Sequence, residues 1–373
     1  MARADLNSTQ TDRLLKAALE RGLPLAGICD LLPALPSLAQ HVERYDRWLA
    51  EGRQDGMEYL VRGRDRRADP RLVFGETRSV MAVAVPYQNN PPGEVDPARG
   101  PRFARYLGGG DYHTWLKERI DRVLAGFAAE LAAEGGPTLS WKSCVDTSAV
   151  LERAWASLCG LGWIGKNSLL IHPRWGSYLF LGVAFLNVET GRVPMPLAEL
   201  CGQCRKCLDA CPTQAILSPG VVDAPRCISA LTLERRGPWA AGSAMTAAPG
   251  AWVAGCDVCQ EVCPFNQRRD RGRAPEAERD LEGGDGLKGT WTWERLLAES
   301  GDEYAARVRG TALSRVKAPD FDRNLAHAFL ATVRAVDGPG RQALDPLLPL
   351  VRARARGGQY AAIWSQALSI LQA

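Results

Sequence analysis

CGQCRKCLDACPTQAI, residues 201–216, sets cysteines at Cys201, Cys204, Cys207 and Cys211, with Pro212 directly after the last. CxxCxxCxxxCP is the bacterial ferredoxin spacing, in which thiolates wrap a cubane iron–sulfur cluster. A second run, Cys256, Cys259 and Cys263 followed by Pro264, lies downstream. Two such runs predict a dicluster segment and a protein that moves electrons.

A cubane needs four soft thiolates converging from different parts of the chain. In two-cluster ferredoxins the Cys-Pro cysteine of each run serves the opposite cluster. Applied here, Cys201, Cys204, Cys207 and Cys263 hold cluster 1, while Cys211, Cys256 and Cys259 leave cluster 2 one ligand short. A regular repeat puts the missing cysteine at position 253, which is Val253; Cys227, the one cysteine between the runs, is the substitute. Zinc ribbons use paired CxxC units rather than this run, and a disulfide scaffold suits neither the chain length nor a reducing compartment. Cys29, Cys144 and Cys159 sit in apolar or strand-like contexts and read as small core residues.

Around this segment the chain of 373 residues is long enough for two or three domains. The N-terminus mixes both charge signs without the apolar core of a signal peptide, which predicts a cytoplasmic protein. The longest apolar stretch, SYLFLGVAFLNV over 177–188, is too short to span a bilayer and reads as a buried strand. Net charge is +4, and residues 301–373, with ten Arg/Lys against six Asp/Glu, hold all of it. Arg62, Arg64, Arg66, Arg67, Arg71 and then Arg268, Arg269, Arg271, Arg273 form two further basic clusters, either a solvated surface or a nucleic-acid footprint.

Periodicity predicts helices over 11–21, 39–51, 111–134 (capped by Asp111) and 149–159. Strands are expected over 25–29, 79–85, 139–145 and 177–188, with a Pro/Gly-rich loop over 86–110. The pattern is that of an α/β or α+β sheet domain. The expected organisation is α+β overall: a sheet domain over 1–194, a dicluster domain over 195–270 and a helical region over 271–373, entered through a polar connector at 267–288. Candidate helices of the last region lie near 293–299, 303–315, 321–336, 341–355 and 358–372. Gly160, Gly162 and Gly165 spell GxGxxG, but this motif follows a helix and precedes a strand, the reverse of a dinucleotide site. Its loop, GLGWIGKNS, still offers close backbone approach to a large cofactor.

Four signatures then fall in one order: VDTSAVLERAWASLCGLGWIGKNSLLIHPRWGSYLFLG (145–182), CxxCxxCxxxCPTQAI, RCISALTLE (226–234) and GCDVCQEVCPFNQ (255–267). With RYLGGGDYH at 105–113 they resemble the epoxyqueuosine reductase family over at least residues 102–267. The resemblance implies a cobalamin-dependent reductase acting on epoxyqueuosine at the wobble position of tRNA. It also implies a cobalamin domain similar to that of reductive dehalogenases, a dicluster domain with two [4Fe-4S] clusters, and HEAT-like C-terminal helices that bind tRNA. An external low-potential electron donor and a monomer with no membrane attachment complete the expectation.

By the same resemblance Asp146, in the family's Val-Asp-Thr/Ser position, is the general acid, with a pKa expected to be raised by burial. Asp111, Tyr112 and His113 match the substrate-side triplet, although an Asp before a long helix also serves as an N-cap. Lys166, Asn167 and Arg153 are the cobalamin-side candidates. Strand alternation adds Cys144, on the face of Asp146 if the strand runs that far. None of the histidines sits in a DxHxxG cobalamin motif, in line with cobalamin bound without a histidine ligand. Arg323 and Asn324 resemble a helix-repeat signature of the tail. The rivals are a reductive dehalogenase on the same scaffold, whose usual twin-arginine signal is missing, and a dicluster electron carrier, for which the preceding sheet domain is superfluous.

Overall fold

SVMAVAVP, Ser79–Pro86, is buried at every position because it lies inside a sheet covered on both faces. The computed structural model describes residues 5–87, 96–240, 243, 245, 250–267 and 291–372. In chain order the strands are β1 (Leu25–Asp30), β2 (Ser79–Pro86), β3 (Arg102–Phe103), β4 (Trp141–Cys144), β5 (Trp163–Ile164), β6 (Leu170–Ile171), β7 (Leu179–Leu186), β8 (Ile216–Ser218), β9 (Val221–Val222) and β10 (Trp252–Ala254). The main sheet has the order β1-β2-β7-β4 with every pair antiparallel. Antiparallel pairing decides between the two sheet classes in favour of α+β.

Alternation assigns the two faces. Met81, Val83, Val85, Phe180 and Ala184 pack with α1 (Ser8–Glu20) and α5 (Tyr112–Ala133). Val80, Ala82, Ala84, Val183 and Phe185 pack with α2 (Leu31–Ala50) and α6 (Glu152–Leu158). Gly182 admits α5 to the sheet, since a Cβ there would stand 2.6 Å from Cδ1 of Ile120. The expected helices and strands of the first two hundred residues are present with shifted ends, and α2 begins eight residues earlier than its periodic part, at Leu31.

The loop expected over 86–110 contains structure that only tertiary contacts create. β3 pairs in parallel with β10, and Phe103, Ala104 and Leu107 join Val253, Ala254, Trp293, Phe321 and Phe329 in one apolar core. Val253 is fully buried there, so position 253 points into the helical region's core. Among the described residues of the tail, the helices are Trp293–Ala298, Gly301–Arg307, Ala318–Ala335, Gly338–Gln342, Leu348–Ala355 and Ala361–Leu371. The helix expected over 303–315 stops at Arg307, and Gly310 at φ +74° turns the chain into the 3-10 turn Ala312–Arg315.

Arg323 and Asn324 staple this region to the rest of the fold. Both are fully buried. The Arg323 guanidinium donates to the carbonyls of Arg235 (3.1 Å), Gly237 and Leu231 (3.2 Å), and Asn324 Nδ2 donates to Thr232 O at 2.8 Å. Arg323 also pairs within its own helix, with Asp320 and with Asn324 Oδ1, so the two residues join the helical region to the segment 231–237. Of the arginine clusters, Arg64 is paired with Asp46, Arg71 with Asp69, and Arg67 is buried beside Tyr45. The second cluster and nearly all of the polar connector lie outside the described residues. Among the described residues, no helix is long and apolar enough to cross a membrane.

Candidate active site

Asp111 is the N-cap of α5, and its one oxygen does two jobs. Oδ1 accepts from the backbone N–H of His113 at 3.0 Å and lies 2.6 Å from Nδ1 of the same residue. The cap therefore orients the imidazole, whose Nε2 stands 3.0 Å from Oδ2 of Asp146. Tyr112 stacks between His113 (4.0 Å between ring centroids) and Phe180 of β7 (4.2 Å), with Tyr106 edge-on at 6.2 Å.

Asp146 follows β4 in a left-handed conformation, φ +53°, a strained state for a residue with a side chain and one concentrated at functional sites. Protein surrounds its carboxylate on several sides, yet 47% of the side chain is open to solvent. Arg153 combines the same two properties. Both are thus enclosed by protein yet reachable by solvent, and the charge of Arg153 is felt at Asp146.

Electrostatics here reverse the expectation for Asp146. Burial alone would raise its pKa, but the hydrogen bond and charge of His113, then the charges of Arg315 and Arg153, hold the carboxyl below its ordinary range. For His113, burial would lower the pKa, and the hydrogen bonds to Asp146 and Asp111 outweigh it, so the imidazole is raised. At rest the proton of this pair sits on His113. Beside them Glu152, with a buried Oε1 that has no hydrogen-bond partner, is pushed up to about 8, first by burial and then by the charge of Asp146.

The other candidates separate. Lys166 Nζ donates to the carbonyls of Gly202 (2.5 Å) and Cys204 (3.0 Å), so it clamps the first thiol loop. Cys144 ends β4 and is buried in the apolar layer with Cys29, Val183 and Trp155; the strand stops short of Asp146, and the expected shared face is not formed. Arg153 donates to Ser168 O at 2.5 Å. Ser168 holds φ +65°, and Ser168 Oγ and Asn167 Nδ2 are buried without a partner. The glycines of GLGWIG serve a hairpin: a Cβ on Gly162 or Gly165 would strike Ile171, across the β5–β6 ladder.

The seven cysteines of the two runs and Cys227 between them fall into two adjoining neighbourhoods. Cys207 is raised to about 11 by burial and then by Cys201, Cys263 and Cys204. Cys256 is raised by burial and by Cys227, Asp257 and Cys211, and Cys259 by burial, Cys256, Cys227, Asp257 and, from the first group, Cys207. Among the described residues, no three His, Cys, Asp or Glu side chains gather tightly enough to share one ion; in a cubane each thiolate binds its own iron. Asn266 and Gln260 fasten the second run to the sheet: Asn266 Nδ2 donates to Ser177 Oγ at 2.8 Å, and Ser177 Oγ donates to Gln260 Oε1 at 2.9 Å.

Three residues of the site carried no signal used in the sequence. Arg315 Nη1 lies 3.8 Å from Asp146 Oδ2, and its Nη2 lies 2.5 Å from Glu234 Oε1. Both arrive from segments remote in sequence. Glu152 lay in view in the LER triplet, overshadowed by its neighbour Arg153.

Comparison with known proteins matches residues 200–266 to a 4Fe-4S double cluster binding domain and residues 67–147 to the family described as epoxyqueuosine reductase QueG, DUF1730. The epoxyqueuosine reductase of Synechococcus sp. strain RCC307 is 38% identical over 319 residues, 84% of this chain and 92% of that protein. The chain belongs to the epoxyqueuosine reductase family. A further family member, from Pseudomonas aeruginosa, is 35% identical over 82% of this chain and 81% of its own length. The fold is also that of an epoxyqueuosine reductase crystallised with a tRNA-Tyr epoxyqueuosine-modified stem loop (TM-score 0.72, 23% identity, 98% and 99% of the two chains). The family member from Streptococcus thermophilus has the same fold (TM-score 0.67, 23% identity, 97% and 99%). The chain is an oxidoreductase with a 4Fe-4S double cluster domain.

Proposed function

We propose that this protein reduces epoxyqueuosine to queuosine at the wobble position of tRNA, with Asp146 delivering a proton to the departing oxygen. Removing an epoxide oxygen as water consumes two electrons and two protons. The Asp111–His113–Asp146 chain carries the reading: a stored proton, an oriented imidazole and a strained carboxylate that is half open to solvent. General acid catalysis of this kind contributes roughly 10²–10⁴-fold.

The donor set suits two [4Fe-4S] clusters, Cys201, Cys204, Cys207 and Cys263 holding one and Cys211, Cys227, Cys256 and Cys259 the other. The orphaned Asn167 Nδ2 and Ser168 Oγ, with Arg153 beside them, suit cobalamin, whose polar side chains need buried partners. When bound, the clusters pass single electrons from an external low-potential donor and the corrin collects them for the epoxide. The chain's own residues do the rest. Tyr112, stacked between His113 and Phe180, fixes the imidazole plane beside the place where a base splayed out of a single-stranded loop would sit. His113 holds the proton and passes it through Asp146, whose own affinity for it is low until a basic oxygen forms beside it.

Asp146→Asn tests the assignment. The variant is expected to bind both cofactors and lose turnover on tRNA bearing epoxyqueuosine. Unchanged turnover would remove Asp146 as the acid.

A further inference from the structure

We propose that Arg315 is a binding site for a phosphodiester of the RNA substrate and at the same time the residue that positions Asp146, releasing it when the phosphate arrives. The inference rests on the functional reading above and deepens it. The turn that carries Arg315 is anchored at the site itself: the Asp111 N–H donates to Gly310 O at 3.1 Å, and Tyr304 Oη, buried, donates to Val316 O at 3.0 Å. The helical region thus brings one cation to the triplet and fixes the backbone on both sides of it.

The guanidinium is held unequally. It lies 2.5 Å from Glu234 and 3.8 Å from Asp146, so the contact to Asp146 is the weaker one. A third of the Arg315 side chain remains open, beside the half-open Asp146. Arginine's planar fork accepts a carboxylate or a phosphate with nearly the same geometry. An arriving phosphodiester takes the open side of the fork while Glu234 keeps the other, and the long contact to Asp146 is the one given up.

The charges that face Asp146 make this exchange consequential. Its cationic neighbours are His113 of α5, Arg153 of α6 and Arg315; Glu152 of α6 and Glu234, which ends the helix Ile228–Leu233, are acidic; Tyr59, Tyr106 and Tyr112 are phenols. Arg315 ranks next after His113 in holding the carboxyl down. Withdrawing it, and bringing a phosphate near, moves the shared proton from His113 toward Asp146. Substrate binding thereby arms the acid, which in the free protein is the weaker base of the pair.

Two measurements on Arg315→Gln test this. Binding of an anticodon stem loop to the reconstituted protein is expected to weaken roughly threefold to tenfold, and the slope of log affinity against log salt to fall by about 0.7, one single-strand phosphate contact. Separately, the alkaline limb of kcat/KM reports the His113–Asp146 pair in the free enzyme and that of kcat reports it in the complex. In the wild type the kcat limb lies at higher pH; in Arg315→Gln the kcat/KM limb moves up toward it while the kcat limb stays. An unchanged salt slope, or a kcat/KM limb that does not move, overturns the proposal. Arg315→Lys keeps the charge and is expected to keep the slope; losing it as the glutamine variant does would mark a folding effect and also overturn the proposal. A wild-type holoenzyme that binds the stem loop without converting it would instead count against the functional reading, with the binding arm still deciding on Arg315.

Discussion

Nε2 of His113 and Oδ2 of Asp146 stand 3.0 Å apart, close enough to share a proton that neither would hold in the same way alone. The pair titrates as a unit, so replacing His113 alters both the supply of protons and the affinity of Asp146 for them. His113→Gln keeps a hydrogen-bond donor but stores no proton. Turnover is expected to drop by roughly 10²–10⁴. The wild-type rate falls as pH rises through the raised His113 pKa, above the ordinary 6.5, and the variant's profile lacks that limb. Steady-state rates across neutral and alkaline pH check both.

Glu152 makes the free protein's stability depend on pH. Its folded pKa of about 8 lies above the ordinary 4.5. Between those values the folded state keeps a proton that the unfolded chain has released, so stability falls as pH rises across that window. Glu152→Gln is expected to raise the melting temperature at the top of the window and leave it nearly unchanged at the bottom. Equal shifts at both ends would show that the carboxyl is not the source of the slope.

Lys166 holds the carbonyls of Gly202 and Cys204, so Lys166→Met should loosen the first thiol loop and leave the second alone. Anaerobic reconstitution followed by desalting is expected to leave iron and sulfide falling toward half of the wild-type content, with the helical circular dichroism unchanged. Full, stable loading would mean the clamp is not needed.

Cys227→Ala is the complementary case. Loss of the second cluster alone is expected, seen as half the iron with the remaining electron paramagnetic resonance signal intact. Retention of all the iron would return the question of the eighth ligand.

Arg323→Met takes the guanidinium away from the half-buried carbonyls of Arg235 and Gly237 and leaves the buried Leu231 O with Trp239 Nε1 as its side-chain donor. A loss of about 3 kcal/mol or more is expected in denaturant unfolding, and Arg323→Lys is not expected to restore it, because an ammonium lacks the planar fork that reaches all three. A cost near zero would mean the staple is dispensable.

The sheet was legible in the sequence because apolar residues alternate or run unbroken in β2 and β7, and the thiol groups because ligand spacing is rigid. Asp111 could be read both as a cap and as a site residue, and Oδ1 turns out to serve both. What escaped depends on contacts between distant segments. The parallel ladder of β3 with β10 hides in a Pro/Gly-rich loop. Arg315 reaches Asp146 from a turn that exists because Gly310 takes a left-handed conformation. The direction of the Asp146 shift was missed for the same reason: burial was foreseeable, while the three cations that overcome it come from α5, α6 and the tail. Lys166 was drawn toward a cofactor by its motif and is spent on backbone carbonyls.

The most direct test is conversion itself. The chain is reconstituted anaerobically with iron, sulfide and cobalamin, supplied with a low-potential reductant and given tRNA bearing epoxyqueuosine, and the digested nucleosides are weighed by mass spectrometry. The account predicts loss of one oxygen atom from the modified nucleoside, giving queuosine; unconverted epoxyqueuosine from protein that carries both clusters and the corrin would contradict it.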